Sequence, residues 1–277
     1  MKLATTILLV ISFLNLTWTF AQNINNKSFY SIPKQQIHPY SLLEVEKNYQ
    51  SDSIFKAKLN FELTIDPFQI GRQVTLGQYK EYLLSIKNDS SAEFYAKHLP
   101  DSSICSREKY FTYFNSGLYD SFPVIGISWI AAMDYCKWKT IIDNPDSIRF
   151  VYRLPRCSEW LSAYSYLMKH NIQNDFNTNF SDWLLSFRIE GFSSKNVDFT
   201  PYDLVIYPKS DSEATRSRNF VIGGSYFFES DKLYKYHRYT YMASQGYKYV
   251  SFRLLKFEIV VFCGVFAKAL PPFLKED

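Results

Sequence analysis

Apolar and polar residues alternate through Phe55, Ala57, Leu59, Phe61 and Leu63, the period of two expected of a strand with one buried face. Pro67 breaks that run, and the period then changes. Leu76, Tyr79, Tyr82 or Leu83, and Ile86 recur at helical spacing, which predicts a helix over 76–86 with Thr75 as its N-cap and 88–91 as its end. Residues 100–121 are rich in Ser, Asp and Tyr without a period and read as loop. Phe122 to Ile127 forms a short apolar strand or turn, after which Ser128 is placed to cap a second helix. Its stripe runs through Trp129, Ala132, Met133 and Cys136, with Asp134, Lys137 and Lys139 elsewhere on the wheel. Phe150 to Pro155 reads as an extended segment ended by proline, and Ser158 to His170 as a third helix. Aromatic short strands are expected around 223–226, 234–241 and 249–255, with polar loops at 171–179 and 209–219. No internal repeat is visible.

The two ends depart from this pattern. Lys2 precedes an apolar stretch that contains Ile7 to Leu14 and closes on Ala21, the arrangement of a secretory signal peptide over residues 1–21. Residues 22–54 are polar and read as an exposed leader, 55–256 as one folded domain, and 257–277 as an apolar tail interrupted by Glu258 and Lys268. A composition with 47% hydrophobic and 18% aromatic residues supports a packed core rather than disorder. The formal net charge of +4 gives no reason to expect a nucleic-acid partner. Export to a secreted, periplasmic or envelope location would let Cys105, Cys136, Cys157 and Cys263 form disulfides, with all three pairings open.

Candidate chemistry is sparse. The histidines His38, His98, His170 and His237 are scattered, no C-x-x-C or H-x-x-x-H spacing occurs, and no metal site is expected. G-x-S-x-G, G-x-x-x-x-G-K-S/T and H-E-x-x-H are all absent. Glu159 and Asp182 read as buried structural acids in preference to an acid/base pair. Cys157 follows Arg156, a cation able to lower a thiol pKa. From Lys232 to Tyr241, basic and aromatic residues interleave. Tyr234, Tyr236, Arg238 and Tyr239, with Tyr226, are thus the candidate binding surface for a glycan or peptide, set against a plain strand with solvated lysines on one side.

Several segments together resemble the formylglycine-generating enzyme, or sulfatase-modifying factor, superfamily. Gln73-Val74-Thr75-Leu76-Gly77-Gln78-Tyr79 looks like its E-V-T-N-x-Q-Y opening, and Pro123 through Trp138 is similar to P-V-x-x-V-S-W-x-D-A-x-x-Y-C-x-W, with Ala131 at the aspartate. Tyr152-Arg153-Leu154-Pro155-Arg156-Cys157-Ser158-Glu159-Trp160 is similar to Y-R-L-P-T-E-A-E-W, and Asn179 to Trp183 resembles N-V-W-E-W more weakly. Gly223-Gly224-Ser225-Tyr226 and Ser251-Phe252-Arg253 resemble the closing G-G-S-W and G-F-R. The resemblance implies a single α+β domain of C-type-lectin-like character with much irregular structure, in which Trp129, Trp138, Trp160 and Arg253 are structural.

It also implies where catalysis would be. The copper-binding cysteines of the enzymes would fall at Phe228 and Leu233, neither of which offers the thiolate or thioether a soft metal ion needs. The histidines of the iron-dependent sulfoxide synthases and the calcium-binding carboxylates also have no evident counterpart. The expectation is therefore a non-catalytic member, related to gliding-motility-type proteins, without cofactor and with a protein partner at the cell envelope. One alternative is an oxidase of a cysteine peptide or small thiol that recruits Cys136 or Cys157. Another is a lectin-like glycan binder.

Overall fold

The computed structural model describes residues 28–38, 62–172, 176, 180–188, 218–223 and 238–259. The signal-peptide segment and the strand expected over 55–61 lie outside them. Both predicted N-caps are formed. Thr75 Oγ1 accepts from the Gln78 N–H at 3.3 Å while Gln78 Oε1 accepts from the Thr75 N–H at 3.0 Å, a reciprocal box that starts helix α1, Leu76–Asp89. Leu76, Tyr79, Tyr82 and Leu83 form its buried face.

Ser91 Oγ accepts from the Phe94 N–H at 3.1 Å to start α2, Ala92–His98, and a 3₁₀ turn, Ser102–Ile104, leads to α3, Arg107–Asn115. The 3₁₀ turn and α3 correct the reading of 100–121 as loop. Serines at 91 and 106 are N-caps here, and α3 buries no residue, so it writes no apolar stripe into the sequence. Ser128 Oγ accepts from the Ala131 N–H at 3.1 Å and opens α4, Trp129–Ile142. The fifth helix, α5, spans Cys157–Lys169. It ends in a Schellman motif, with Asn171 at φ 52°, the Asn171 N–H on Met168 O at 3.2 Å and the Ile172 N–H on Leu167 O at 2.9 Å.

The strands are β1 Phe29–Ile32, β2 Gln35–Ile37, β3 Leu63–Ile65, β4 Phe68–Gln73, β5 Phe150–Arg153, β6 Ser181–Arg188, β7 Arg218–Ile222, β8 Arg238–Met242, β9 Val250–Ser251 and β10 Arg253–Glu258. One sheet has the order β1-β4-β10-β5 with every pair antiparallel. A second has the order β8-β7-β6-β9, in which β6 and β9 run parallel, and β2 pairs with β3 in a small third. Pro67 thus separates two strands instead of ending one. The segment read as leader supplies the edge strand β1, whose Tyr30 and Ile32 are buried, and the segment read as tail supplies Phe257 and Glu258 to β10. Four or fewer residues on a sheet edge carry too short an alternation to stand out in a polar stretch.

Two clusters of buried side chains make the core. One joins α1 and α4 to Trp183, Val221, Phe252 and Leu254, and the other joins α5 to Ile32, Ile70, Leu184, Ile222 and Leu255. Tyr79, Tyr82 and Tyr135 meet in the first, with ring centroids 5.5 to 5.7 Å apart.

Three backbone segments cross at the end of the first cluster. The Asp101 N–H donates to Gly126 O at 2.8 Å, and the Gly126 N–H donates to Tyr247 O at 3.1 Å. Gly126 has φ +76°, and a Cβ on Gly246 would overlap the Gly126 carbonyl and press on Asp101. Both positions therefore call for glycine, one for its dihedral and the other for the approach. Gly246→Ala is expected to destabilise the protein by about 2–4 kcal/mol, measurable as a shift of the denaturant midpoint. An unshifted midpoint would refute this packing.

Candidate functional site

Four of the sequence motifs converge on one carboxylate. Asp182, 1% exposed on β6, accepts from Gln73 Nε2 at 2.9 Å, from Trp160 Nε1 at 2.9 Å and from Arg253 Nε at 2.7 Å. Arg253 is fully buried, donates Nη1 to Gly71 O at 3.1 Å, and lies with its guanidinium carbon 3.8 Å from the centre of the Phe176 ring. The strand positions explain the meeting. Asp182 pairs with Ser251 across β6 and β9, Arg253 opens β10 opposite Gln73 at the end of β4, and Trp160 reaches across from α5. Charge, hydrogen bonds and a cation–π contact together answer the cost of removing both ions from water.

The other motif acid belongs to a separate network. Glu159 takes both Nη groups of Arg153, with Nη1 to Oε2 at 2.7 Å, and the Arg156 N–H at 2.7 Å. Burial alone would raise the Glu159 carboxyl, but Arg153 and the Arg156 amide outweigh it and hold the carboxyl below the usual carboxylate range. Glu159 and Asp182 are thus each engaged by structural donors, and no shared proton-transfer arrangement joins them. Two tryptophans pin loops in the same way: Trp129 Nε1 donates to Leu184 O and Trp183 Nε1 to Ile127 O, each at 2.8 Å.

Removing Asp182 alone leaves a buried guanidinium uncompensated. Asp182→Ala is expected to cost about 3–5 kcal/mol, and Asp182→Leu combined with Arg253→Met less than the sum of the two single changes. Chemical denaturation of the three variants checks this, and strictly additive costs would contradict direct coupling.

The candidate thiols are placed inside the core. Cys136 is fully buried on α4, where burial, with Asp134 adding, pushes its thiol far above the ordinary cysteine value. Cys157 is fully buried at the start of α5, among the second cluster. Cys105 differs from both. It is half-buried with a free thiol and lines a cavity of about 460 Å³ together with Ile104, Tyr113, Ile125, Lys109 and Lys248. Nothing in the local sequence distinguished it. Alkylation of the native chain, mapped peptide by peptide, should modify Cys105 and spare Cys136 and Cys157 until denaturant is added. Ready labelling of Cys136 in the folded chain would contradict its burial.

Of the proposed binding surface, Arg238 and Tyr239 lie on β8 opposite Ile222 and Val221 of β7. Tyr226, Tyr234 and Tyr236, and likewise Phe228 and Leu233, lie outside the described residues. Tyr241 of β8 and Tyr247 of the loop that follows meet at 4.2 Å and both border Trp183, with centroids at 6.3 and 6.0 Å. The Tyr247 hydroxyl accepts from the Met242 N–H at 3.0 Å, fixing the turn that leads to Gly246. Among the described residues no group of three or more His, Cys, Asp or Glu side chains is placed to hold a metal ion, and no helix is long and apolar enough to cross a membrane. His98 is instead engaged by Phe94 O at 2.7 Å and Asp134 Oδ2 at 3.1 Å.

A family model described as the sulfatase-modifying factor enzyme 1-like domain matches residues 48–205. No curated protein matches the chain. Among solved structures, CarF is similar with 14% identity and a TM-score of 0.49, over 84% of this chain and 98% of that one. Treponema denticola variable protein 1 is similar with 13% identity and a TM-score of 0.48, over 82% and 94%.

Proposed function

Because the chain belongs to the sulfatase-modifying factor enzyme 1-like domain family, we propose that it is an exported, non-catalytic member that binds or assembles with a protein partner at the cell envelope. One observation carries this reading: the frame is retained while the metal donors are not. Gln73, Trp160, Asp182 and Arg253 are all present and joined, yet the positions that match the copper-binding cysteines are Phe228 and Leu233. Neither side chain can ligate copper. Cys136 and Cys157 do not supply a replacement pair, since each is buried in a different core cluster. The donor set therefore does not fit the family's metal, and no oxidation step is derived through it. The apolar stretch at 1–21, read as a signal peptide, supports export, and the relation to gliding-motility-type proteins is an analogy of fold.

Two measurements test this. Cross-linked capture of the tagged protein from its native envelope, against an untagged control, is expected to recover a stoichiometric protein partner. Purified protein given copper and a Cys-x-Pro-x-Arg peptide is expected to leave the cysteine unchanged. Conversion of that cysteine to formylglycine would overturn the proposal, and recovery of the protein alone would remove its assembly role.

A further inference from the structure

Away from the Asp182 frame, the β1–β2 turn and β2 face the last turn of α5 across a cavity of about 430 Å³. Lys34, Gln35 and His38 line one wall and Tyr166, Lys169 and His170 the other. Among the described residues no carboxylate lines it. Glu62 Oε1 lies 4.0 Å from His38 Nε2. Lys34, Lys169 and His170 are exposed and form no ion pair among the described residues.

The end of α5 would ordinarily oppose an anion, because the last carbonyls of a helix carry partial negative charge. Here the carbonyls of Tyr166, Leu167 and Met168 are already taken by the N–H groups of His170, Ile172 and Asn171. The polar side chains that line the cleft are two ammonium groups, two amides, a serine hydroxyl, a phenol and two imidazoles, and each of them offers a donor. Tyr166 adds a half-buried ring, with the His170 ring 4.4 Å away and tilted by 46°. A tilted pair offers one open face instead of a parallel slot. It suits the C–H face of a pyranose better than a planar base sandwiched between two rings. The volume is that of a small-molecule site and exceeds what a bare ion fills.

From this donor-rich cleft we infer that the protein has a binding site for an anionic saccharide, with the sugar ring against Tyr166 and its sulfate, phosphate or carboxylate group against Lys34 and Lys169. The site is separate from the candidate surface on β8 and does not depend on whether the chain is catalytic. The three anion types share the chemistry that the cleft recognises, and titration distinguishes them.

Calorimetric titration of the purified protein with glucose 6-sulfate, glucose 6-phosphate, glucuronate, neutral glucose and inorganic sulfate tests the inference. At least one charged sugar is expected to bind saturably, with glucose and inorganic sulfate each weaker by about tenfold or more. Lys169→Glu and Lys34→Glu, both on exposed side chains, are expected to weaken that binding about tenfold each with an unchanged circular dichroism spectrum. Equal binding of glucose and the charged sugars would overturn the inference. So would inorganic sulfate binding as tightly as the sugar sulfate, binding that survives both charge reversals, or no saturable binding of any charged sugar at millimolar concentration.

Discussion

The buried ion pair between Asp182 and Arg253 is the constraint around which the rest is arranged. A carboxylate and a guanidinium held out of water must be matched with donors and acceptors almost completely, or the chain will not bury them. Meeting that demand draws Gln73 from the end of β4, Trp160 from α5 and the Gly71 carbonyl to one place. The net stabilisation of such a pair is small compared with the cost of breaking it. Its effect is to make misaligned packings expensive, because each of these partners comes from a different part of the chain.

How much of this the sequence discloses depends on the range of the interaction. Caps are local: Thr75 and Ser128 announce their helices within three residues, and both predictions hold. The structural character of Trp160 and Arg253 is likewise legible, because a tryptophan with a polar partner and an arginine among apolar residues suit a core. Their convergence on Asp182 is not legible, since 22 and 71 residues separate these partners along the chain. Helix α3 escapes because it packs no side chain fully and so has no stripe to reveal it. Strand β1 escapes because its partner is β4, more than thirty residues on, and its own four residues read as part of a polar stretch.

The thiols show the same division between type and place. Sequence singled out Cys136 for its motif and Cys157 for its neighbouring arginine, and both turn inward. Cys105, with serines nearby on both sides and no motif, is the thiol that borders a cavity. Reactivity follows from solvent access and local charge, which are properties of the folded surface. In the same way the cleft between β2 and α5 unites Lys34 with Lys169, residues that no local pattern associates.

Strand order also bears on how the chain is made. The positions of β4 and β5 are synthesised long before β10, yet they touch only through it, because β10 lies between them in the sheet. Until Arg253–Glu258 emerges, each of those strands presents an open hydrogen-bonding edge, and the Asp182 carboxylate lacks its cation. A nascent chain in that state has its first sheet in two pieces, β1–β4 and β5, whose open edges are liable to pair with a neighbour. The sheet is thus completed by nearly the last residues described, so this layer of the native structure cannot close until that segment has been made.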